Sequence, residues 1–274
     1  FLSSMELLEI PKVLKKINAY LYHSPSFSSL FYCPCPWMVT VHDLNHLSFG
    51  SFPKKTYYQL LLKPFIRRAE KVLTVSKFSQ SEISNWSKLP ASKIDIAYNA
   101  ITHVNQKDGQ CDEELIQVFG LKKEQFFFAL SNPKPHKNIK LLIKAYLEYQ
   151  KQINTPLVLP LVLNLTEKEF NSLGFEKVPE GVVLLGKVNE ASKVALLKFA
   201  SAFLFPSLYE GFGRPPLEAA LYGTPTVVSD ILPHKEALSE LQDGEVKFLS
   251  PLNSIEWTNE LCSIHKQKKR LLLQ

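Results

Sequence analysis

The apolar positions of the chain form short runs separated by segments of helical spacing, most clearly in the carboxyl-terminal half. Short apolar runs bounded by turn residues predict strands, and apolar residues three and four positions apart predict helices. Strands are predicted at residues 126–130, 157–163, 182–185, 202–205, 226–229 and 246–249. Helices are predicted at residues 138–149, 190–200, 215–222 and 233–241. This alternation predicts a doubly wound parallel sheet.

The amino-terminal part shows fewer alternating units. Its strands are predicted at residues 17–22, 37–41, 71–75 and 94–97, with one helix at residues 57–69. Because four strands are few for a sheet of this type, the first domain is predicted to be incomplete. A polar stretch that begins at residue 107 is predicted to be the linker, which gives domains at residues 1–106 and 107–274.

Length and composition fit two packed domains. The chain has 274 residues, of which 45% are apolar, and this is enough for two cores of ordinary size. No run of about 18 apolar residues occurs, so no membrane-spanning helix is predicted. No signal peptide is visible, and the chain begins with Phe1 instead of Met, so we expect a fragment of a longer protein.

Cysteine spacing and net charge indicate the environment. The four cysteines, Cys33, Cys35, Cys111 and Cys262, have no cysteine or histidine partners at zinc-binding spacing. They are predicted to be reduced thiols of a cytoplasmic protein. A net charge of +6 fits an ordinary soluble surface or a peripheral contact with anionic lipid at the inner face of a membrane. No nucleic-acid-binding motif accompanies the charge, so no nucleic-acid partner is expected.

The stretch from Glu210 to Glu218 carries the strongest chemical signal. Gly211 and Gly213 allow backbone conformations that other residues avoid and let a ligand approach closely. A proline pair follows and suits the first turn of a helix, so Glu210 is predicted on the loop before that helix and Glu218 on the helix. A helix start binds anions such as a diphosphate, whereas carboxylates accept hydrogen bonds from sugar hydroxyls. Together these features indicate a nucleotide-sugar site.

Residues 210–229 resemble the donor-site signature of the family-four, or group 1, retaining glycosyltransferases. Five further segments resemble segments of that family. Three contain candidate site residues: residues 37–44 with His42, residues 131–138 with Asn132 and Lys137, and residues 185–188 with Lys187 and Val188. The other two are residues 69–79 and 98–101. The resemblance covers nearly the whole chain. It implies the GT-B fold, an α/β arrangement of two facing Rossmann-like domains. Residues 1–106 are then the partial acceptor-side domain, and residues 107–274 the domain that binds the nucleotide-sugar donor.

The resemblance also implies a role for each residue. The implied catalytic residues are Glu210, which holds hydroxyls of the transferred sugar, His42, which positions that sugar, and Lys137, which grips the diphosphate. The implied nucleotide-sugar-binding residues are Glu218 at the ribose, the backbone of Gly211, Phe212 and Gly213, Asn132 in the phosphate-binding segment, and the backbone of Lys187 and Val188 at the base.

The implied reaction moves a hexose, with mannose as one candidate, and retains the anomeric configuration. The donor is implied to be a GDP- or UDP-linked sugar, which is a substrate and not a resident cofactor. The acceptor is implied to be a glycan or a lipid-linked sugar. Because the chain has no Asp-x-Asp pair, neither a metal site nor a metal requirement is predicted.

Departures from the family pattern leave other functions open. Ser131 stands where many members carry arginine, the residues around Asn99 lack the family's proline and glycine, and the family's glycine-rich first segment is expected to be missing. These departures favour an inactive nucleotide-sugar-binding module, and a third interpretation is a GT-B-fold epimerase. Each residue also has a purely structural interpretation: Glu218 as a helix-favouring acid, Lys137 as a solvated lysine and His42 as a histidine at a turn.

Overall fold

The chain divides into two structural units. The computed structural model describes residues 6–101, 112–153, 158–241 and 246–272. The first unit comprises Phe1–Ala100 with the segment Glu210–Phe212, and the second comprises Ile101–Tyr209 with Gly213–Gln274. The linker start predicted at residue 107, and the first residue of the strand predicted at 157–163, lie outside the described residues.

The sheet of the first unit contains four parallel strands within the described residues. They lie side by side in sequence order: β1 (Tyr22–Ser24), β2 (Trp37–Thr40), β3 (Lys71–Thr74) and β4 (Ile94–Ile96). The register pairs Val39 of β2 with Ser24 of β1 and with Val72 of β3. Because the strands are parallel, the segments that follow β2 and β3 leave the sheet at the same edge.

Helices connect the strands of the first unit. They are α1 (Glu6–Lys16), α2 (Asn45–Phe49), α3 (Phe52–Tyr57), α4 (Lys63–Arg68) and α5 (Lys77–Ser87), with a 3₁₀-helix at Ala91–Lys93. A π-helical turn at Tyr58–Leu62 joins α3 to α4 without a break. Ser76 caps α5, because its hydroxyl accepts a hydrogen bond from the Ser79 N–H at 3.0 Å. A cap of this kind contributes about 1 kcal/mol.

The sheet of the second unit contains six parallel strands within the described residues. They are β5 (Phe127–Ala129), β6 (Leu161–Leu163), β7 (Val182–Leu184), β8 (Ala202–Phe205), β9 (Thr226–Ser229) and β10 (Val246–Leu249). Their spatial order is β10-β9-β8-β5-β6-β7. The chain therefore builds outward from β5 to one edge and then from β8 to the other, as in Rossmann folds. Such sheets bind ligands beyond the carboxyl ends of the strands where the order reverses, which here are β5 and β8.

Helices surround the second sheet. They are α6 (Asp112–Gln117), α7 (Ile139–Gln152), α8 (Glu167–Asn171), α9 (Glu190–Phe199), α10 (Arg214–Leu221), α11 (Leu232–Ala237) and α12 (Ser254–Leu272), with a 3₁₀-helix at Pro135–Lys137. Helix α12 packs on α7, where the Thr258 hydroxyl donates to the Ala145 carbonyl at 3.1 Å.

The second sheet has a core on both faces. Phe127 belongs to one buried cluster, whereas Phe126 and Phe128 belong to the other, because successive strand residues point to opposite faces. All three rings are fully buried. Burial of each ring contributes about 1.5–3 kcal/mol. Burial on both faces explains why these strands appear in the sequence as continuous apolar runs.

The sequence pattern located most of these elements, and one predicted strand was wrong. Residues 202–205, 226–229 and 246–249 were predicted as the strands that the structure contains. The strand predicted at residues 17–22 is not present, because α1 extends to Lys16 and a turn follows it. In that turn Asn18 has a left-handed backbone with a φ of 50°, and only Tyr22 of the predicted range lies in a strand. Asparagine tolerates this conformation and commonly ends helices.

Among the helices that the structure describes, none combines the length and the apolar content that crossing a bilayer requires.

Candidate functional site

The segment after β5 brings a cation to the point where the strand order reverses. Asn132 accepts a hydrogen bond from the Lys134 N–H at 3.1 Å, which shapes the start of the segment. Lys137 ends the 3₁₀-helix, and its ammonium lies 4.9 Å from the centre of the Phe205 ring. Phe205 is the last residue of β8, so Lys137 lies at the reversal between β5 and β8.

The segments after β5 and β8 are hydrogen-bonded to each other. Asn138 has a left-handed backbone with a φ of 56°, and its side-chain amide donates to the Pro206 carbonyl at 3.1 Å. The Leu208 N–H donates to the His136 carbonyl at 2.7 Å. These bonds fix Lys137 beside the segment that leads away from β8.

The backbone at the start of helix α10 requires glycine. Gly213 is the N-cap residue with a φ of 105°, which other residues rarely adopt. A Cβ atom at Gly213 would lie 2.9 Å from Cδ2 of His234. Because Pro215 and Pro216 have no N–H, the helix start offers backbone donors only at Gly213 and Arg214. Fewer backbone N–H groups are therefore available to a bound anion here than at an ordinary helix start. Side-chain cations must supply more of the binding.

The carboxylate of Glu218 is buried between two cations. Glu218 is 8% exposed, and its oxygens accept hydrogen bonds from Arg214 Nη2 at 3.2 Å and Lys193 Nζ at 3.1 Å. Lys193 also forms an ion pair with Glu190. Burial alone would lower the pKa of Lys193, but the hydrogen bond to Glu190 and the charge of Glu218 raise this pKa above its ordinary value. The carboxylate of Glu218 is thus held in place before any ligand binds.

Serine hydroxyls lie buried near the carboxyl ends of three strands of the second sheet. Ser131 follows β5, Ser207 follows β8, and Ser229 is the last residue of β9. Within the part of the chain that the structure describes, the Oγ atom of each has no hydrogen-bond partner. Leaving a buried hydroxyl unsatisfied costs about 1–3 kcal/mol. A ligand that pairs with Ser131 and Ser207 would recover part of this cost at the strand reversal.

Lys187 and Val188 follow β7, at an edge of the same sheet. Gly186 precedes them with a φ of 66°, which turns the chain. The side chain of Lys187 is exposed, whereas Val188 packs against the core cluster on one face of the sheet. The side chain of Val188 is therefore partly covered, whereas its backbone lies in the loop that follows β7.

Within the first unit, His42 and Gly211 lie together. The hydroxyl of Ser76 donates to the Gly211 carbonyl at 2.6 Å. The Ser79 hydroxyl lies 3.1 Å from the same carbonyl and 3.2 Å from the carbonyl of His42. The Nε2 atom of His42 lies 3.0 Å from the Pro25 carbonyl oxygen. The segments after β2 and β3 thus hold both residues.

Gly211 is required by a close approach of backbone. A Cβ atom at this position would lie 2.6 Å from the His42 carbonyl oxygen, a distance that no side chain tolerates. The neighbouring Phe212 is 7% exposed, and its ring centre lies 5.9 Å from that of Tyr98. Phe212 therefore packs within the unit and can offer a ligand only its backbone. Glu210 is half-buried.

Comparison with protein families accounts for both units. The family model described as glycosyl transferases group 1 matches residues 112–260, and the model of glycosyltransferase family 4 matches residues 4–103. The chain belongs to the group 1 glycosyltransferases. This confirms the family that was predicted from residues 210–229 and its companion segments.

A curated relative of this group 1 glycosyltransferase is the O-antigen chain mannosyltransferase RfbU of Salmonella typhimurium. The two are 31% identical over 229 residues, which cover 83% of this chain and 60% of the relative. The chain thus spans about 60% of the length of that relative.

Two solved structures show the shared fold. WaaG, a glycosyltransferase involved in lipopolysaccharide biosynthesis, matches with a TM-score of 0.70 and 14% identity, over 95% of this chain and 72% of WaaG. HepE of Anabaena, in complex with UDP and glucose, matches with a TM-score of 0.65 and 20% identity, over 86% of this chain and 63% of HepE. These similarities confirm the α/β class with two parallel sheets, the GT-B fold.

The predicted site residues of the group 1 glycosyltransferase are divided between the units. The first unit holds His42, Glu210, Gly211 and Phe212, and the second holds Asn132, Lys137, Lys187, Val188, Gly213 and Glu218. Some neighbours of these residues were missed by the sequence analysis. Lys193 is the clearest case, because it precedes its partner Glu218 by 25 residues and lies on a different helix. Ser207 had a weak signal, because it lies two residues after an apolar strand.

Metal-binding side chains do not cluster in the described residues. Across residues 6–101, 112–153, 158–241 and 246–272, no group of three or more histidine, cysteine, aspartate or glutamate side chains is arranged to hold a metal ion. Independence from metal ions remains a prediction from the sequence.

Proposed function

We propose that this group 1 glycosyltransferase transfers a hexose, with mannose as the first candidate, from a nucleoside-diphosphate sugar to a glycan or lipid-linked acceptor and retains the anomeric configuration. The observation that carries the proposal is the group of hydrogen-bond donors at the strand reversal of the second sheet. Lys137 lies there with the hydroxyls of Ser131 and Ser207, which have no hydrogen-bond partner among the described residues. Helix α10 follows β8, one of the two strands at the reversal. The choice of mannose is supported by the relative RfbU, which is described as a mannosyltransferase.

The donor's diphosphate would be bound by cationic and neutral donors together. Lys137 supplies a point charge, and the Ser131 and Ser207 hydroxyls supply hydrogen bonds without the cost of breaking existing ones. The N–H of Gly213 adds a backbone donor. As the bond from sugar to phosphate breaks, negative charge grows on the diphosphate, and donors already in position stabilise it.

The sugar and the ribose would be bound by acceptors. Glu218 is fixed by two cations, and its remaining lone pairs can accept hydrogen bonds from ribose hydroxyls. Glu210 would accept hydrogen bonds from hydroxyls of the transferred sugar. His42 would orient this sugar through its imidazole, which already lies next to a backbone carbonyl.

The proposed reaction balances without a protein base. The electron pair of the bond between the anomeric carbon and the phosphate oxygen leaves with the diphosphate. The acceptor hydroxyl attacks the anomeric carbon on the face from which the diphosphate departs, which retains the configuration. Its proton passes to an oxygen of the departing diphosphate, so the products are the new glycoside and the free nucleoside diphosphate.

We also propose that the first unit makes a peripheral contact with anionic membrane. Around α1 and the loops after it lie exposed apolar side chains and exposed lysines, which we call the amino-terminal patch. Its members are Leu8, Lys12, Val13, Lys15, Lys16, Ile17, Tyr20, Leu21, Phe31 and Tyr32. Apolar and aromatic side chains beside lysines are typical of surfaces that bind the lipid–water interface.

A donor-turnover assay tests the proposed function. The protein is incubated with GDP-mannose, UDP-glucose or UDP-N-acetylglucosamine, with and without an α-linked mannose oligosaccharide, in excess chelator. We expect GDP release from GDP-mannose that depends on the acceptor, an α-linked product by NMR, and the same rate without chelator. Glu210→Ala should lose a factor of about 10²–10³ in rate with an unchanged circular dichroism spectrum, whereas Glu70→Ala at an exposed position should keep the wild-type rate.

The other outcomes separate the alternatives. Donor that isomerises without acceptor would indicate an epimerase. Nucleotide binding without any turnover would indicate an inactive binding module. A Glu210→Ala rate above about a tenth of wild type would remove Glu210 from the site, given the usual effect of such contacts.

A further inference from the structure

A groove between α2 and α5 in the first unit has no part in the proposed donor site. Its volume is about 380 Å³, which is in the range of small-molecule pockets. Its lining residues, which we call the α2–α5 groove, are Leu44, Leu47, Ser48, Glu82, Asn85 and Trp86.

The lining combines one aromatic ring with neutral and acidic acceptors. Glu82, Asn85 and Trp86 lie three and four positions apart on α5, so they share one face of the helix. Trp86 is held in position by the Tyr58 ring, 6.0 Å away between centres, and by the ammonium of Lys63, 5.9 Å from the indole. A rigid ring is a better platform for a ligand than a mobile one.

A hydrogen-bond donor of the groove is unsatisfied. The indole Nε1 of Trp86 is buried and has no hydrogen-bond partner among the described residues. Buried indole N–H groups usually have partners, because desolvating such a group without one costs free energy. The N–H is covered by neighbouring atoms, so a ligand hydroxyl reaches it only when these atoms move, and the new hydrogen bond would then remove this cost.

The chemistry of the lining selects among ligand classes. No cation is among the lining residues, and Glu82 would repel a phosphate or a carboxylate. A purely apolar ligand would cover the exposed amide of Asn85 without offering it a hydrogen bond. A sugar ring suits both requirements, because its C–H face packs on an aromatic ring while its hydroxyls pair with carboxylate and amide groups.

Both elements of the groove begin at the candidate site of the first unit. Helix α2 starts three residues after His42, and the first turn of α5 contains Ser79, whose hydroxyl bonds the Gly211 carbonyl. From Ser79 to Trp86 is seven residues, or about 10 Å along the helix axis. The groove is therefore close enough to the site for one oligosaccharide to reach both.

We propose that the α2–α5 groove binds a sugar ring of an oligosaccharide acceptor, distinct from the ring that receives the transferred sugar. That this oligosaccharide is the acceptor rests on the proposed function, whereas its binding to the groove does not. The groove would give the enzyme a preference for longer acceptors, because a short one cannot fill both positions.

Calorimetric titration without donor tests the proposal directly. The probes are α-linked mannotetraose and α-linked mannobiose, and the variants are Glu82→Gln with Asn85→Ala as a pair, and Trp86→Phe, which keeps a ring but removes the N–H. The matched control is Glu70→Gln with Ser81→Ala, two exposed positions of the same unit outside the groove. Donor hydrolysis without acceptor is measured in every variant.

We expect wild type to bind the tetraose at least about tenfold more tightly than the biose, a gain of the size that one well-formed contact region gives. In the paired variant the two dissociation constants should converge, Trp86→Phe should be intermediate, and the control should match wild type. Donor hydrolysis should be unchanged throughout, and the acceptor KM for the tetraose should rise with its dissociation constant.

A wild-type protein with no tetraose binding or no length preference overturns the proposal. So does a length preference that survives in both groove variants. If the tetraose binds with the expected preference but no sugar is transferred to it, the proposed function fails and the groove assignment stands.

Discussion

Glu218 combines a structural and a ligand-binding requirement in one carboxylate. Its two oxygens hold Lys193 and Arg214, and the side chain of Lys193 is only 17% exposed. Because partners raise the pKa of Lys193 above its ordinary 10.5, the stability that this network adds is fully present below pH 10.5. It is lost as the pH rises through the higher folded-state pKa. At neutral pH the network is therefore intact.

The variant Glu218→Gln should change both donor binding and stability. Ribose hydroxyls do not change during the reaction, so loss of the carboxylate should raise the donor KM by about tenfold, or 1.4 kcal/mol, with kcat nearly unchanged. The melting temperature should also fall, because two cations lose their partner, by about 2–4 °C for each kcal/mol lost. Steady-state kinetics and thermal unfolding measure the two effects.

Glu190→Gln is the matched control for this variant. Glu190 pairs with the same lysine, but its side chain is 63% exposed, and exposed pairs contribute about 0–1 kcal/mol. We expect its donor KM to equal that of wild type. A collapse of kcat at constant donor KM in Glu218→Gln would instead mean that Glu218 contacts the reacting atoms.

At the scale of elements, α10 has a glycine at each end with a different function. Gly213 at the start has a φ of 105° and a close neighbour. Gly223 after the end has a φ of 75°, and a Cβ atom added there would meet no described heavy atom within 4 Å. Both positions are strained for other residues, but only the first also lies beside the proposed diphosphate.

The pair Gly213→Ala and Gly223→Ala separates strain from function. Both variants should lose about 1–3 kcal/mol of stability from the left-handed backbone, seen as a lower melting temperature. Gly213→Ala should also raise the donor KM at least about tenfold, because a contact at 2.9 Å to His234 forces the helix start to move. Equal donor KM values in the two variants would show that the helix start does not bind the donor.

Sequence patterns predict these elements where local and tertiary preferences agree. Strand β8 was predicted with its observed ends, because a strand buried on both faces is a continuous apolar run. Helix α1 was missed because Pro11 lies inside it, and proline usually breaks helices. The site residues likewise differ in whether a local sequence motif or a tertiary contact identifies them. The segment 210–218 was evident from its glycines and prolines, whereas the contact of Lys193 with Glu218 exists only after α9 and α10 pack together.

At the scale of the whole molecule, the positive charge of the chain includes a cluster beside exposed apolar surface. The net charge is +6, and Lys12, Lys15 and Lys16 lie on one helix among the apolar members of the amino-terminal patch. Each lysine near an anionic surface contributes about 1 kcal/mol. Three lysines therefore give about 3 kcal/mol, or roughly a hundredfold in binding.

Sedimentation with lipid vesicles tests this contact. The protein should bind vesicles that contain phosphatidylglycerol, bind phosphatidylcholine vesicles weakly, and dissociate at high salt. Replacing Lys12, Lys15 and Lys16 by glutamine should weaken binding by roughly a hundredfold. The control replaces three exposed lysines of α7: Lys140, Lys144 and Lys151. Equal binding by the two triple variants would assign the attraction to net charge and not to the patch.

The π-helical turn at Tyr58–Leu62 stores one residue more than a regular helix of the same length requires. Deleting the exposed Leu60 would let the helical run close into an unbroken α-helix. Its two halves would keep nearly the same phase, because the wider π-helical turn already absorbs the surplus residue. A deletion in the regular helix on either side would instead rotate the two halves by about 100° relative to each other.

The phase of this helix affects the histidine through Tyr57. The Tyr57 hydroxyl accepts a hydrogen bond from the Ser29 N–H at 3.0 Å and donates to the Phe27 carbonyl at 2.7 Å. Both residues belong to the loop that begins at Pro25, whose carbonyl lies 3.0 Å from Nε2 of His42. A Tyr57 turned by one residue would release this loop. The π-helical turn thus takes up a surplus residue without changing the phase of the helix, and this phase is what lets the loop hold the imidazole of His42.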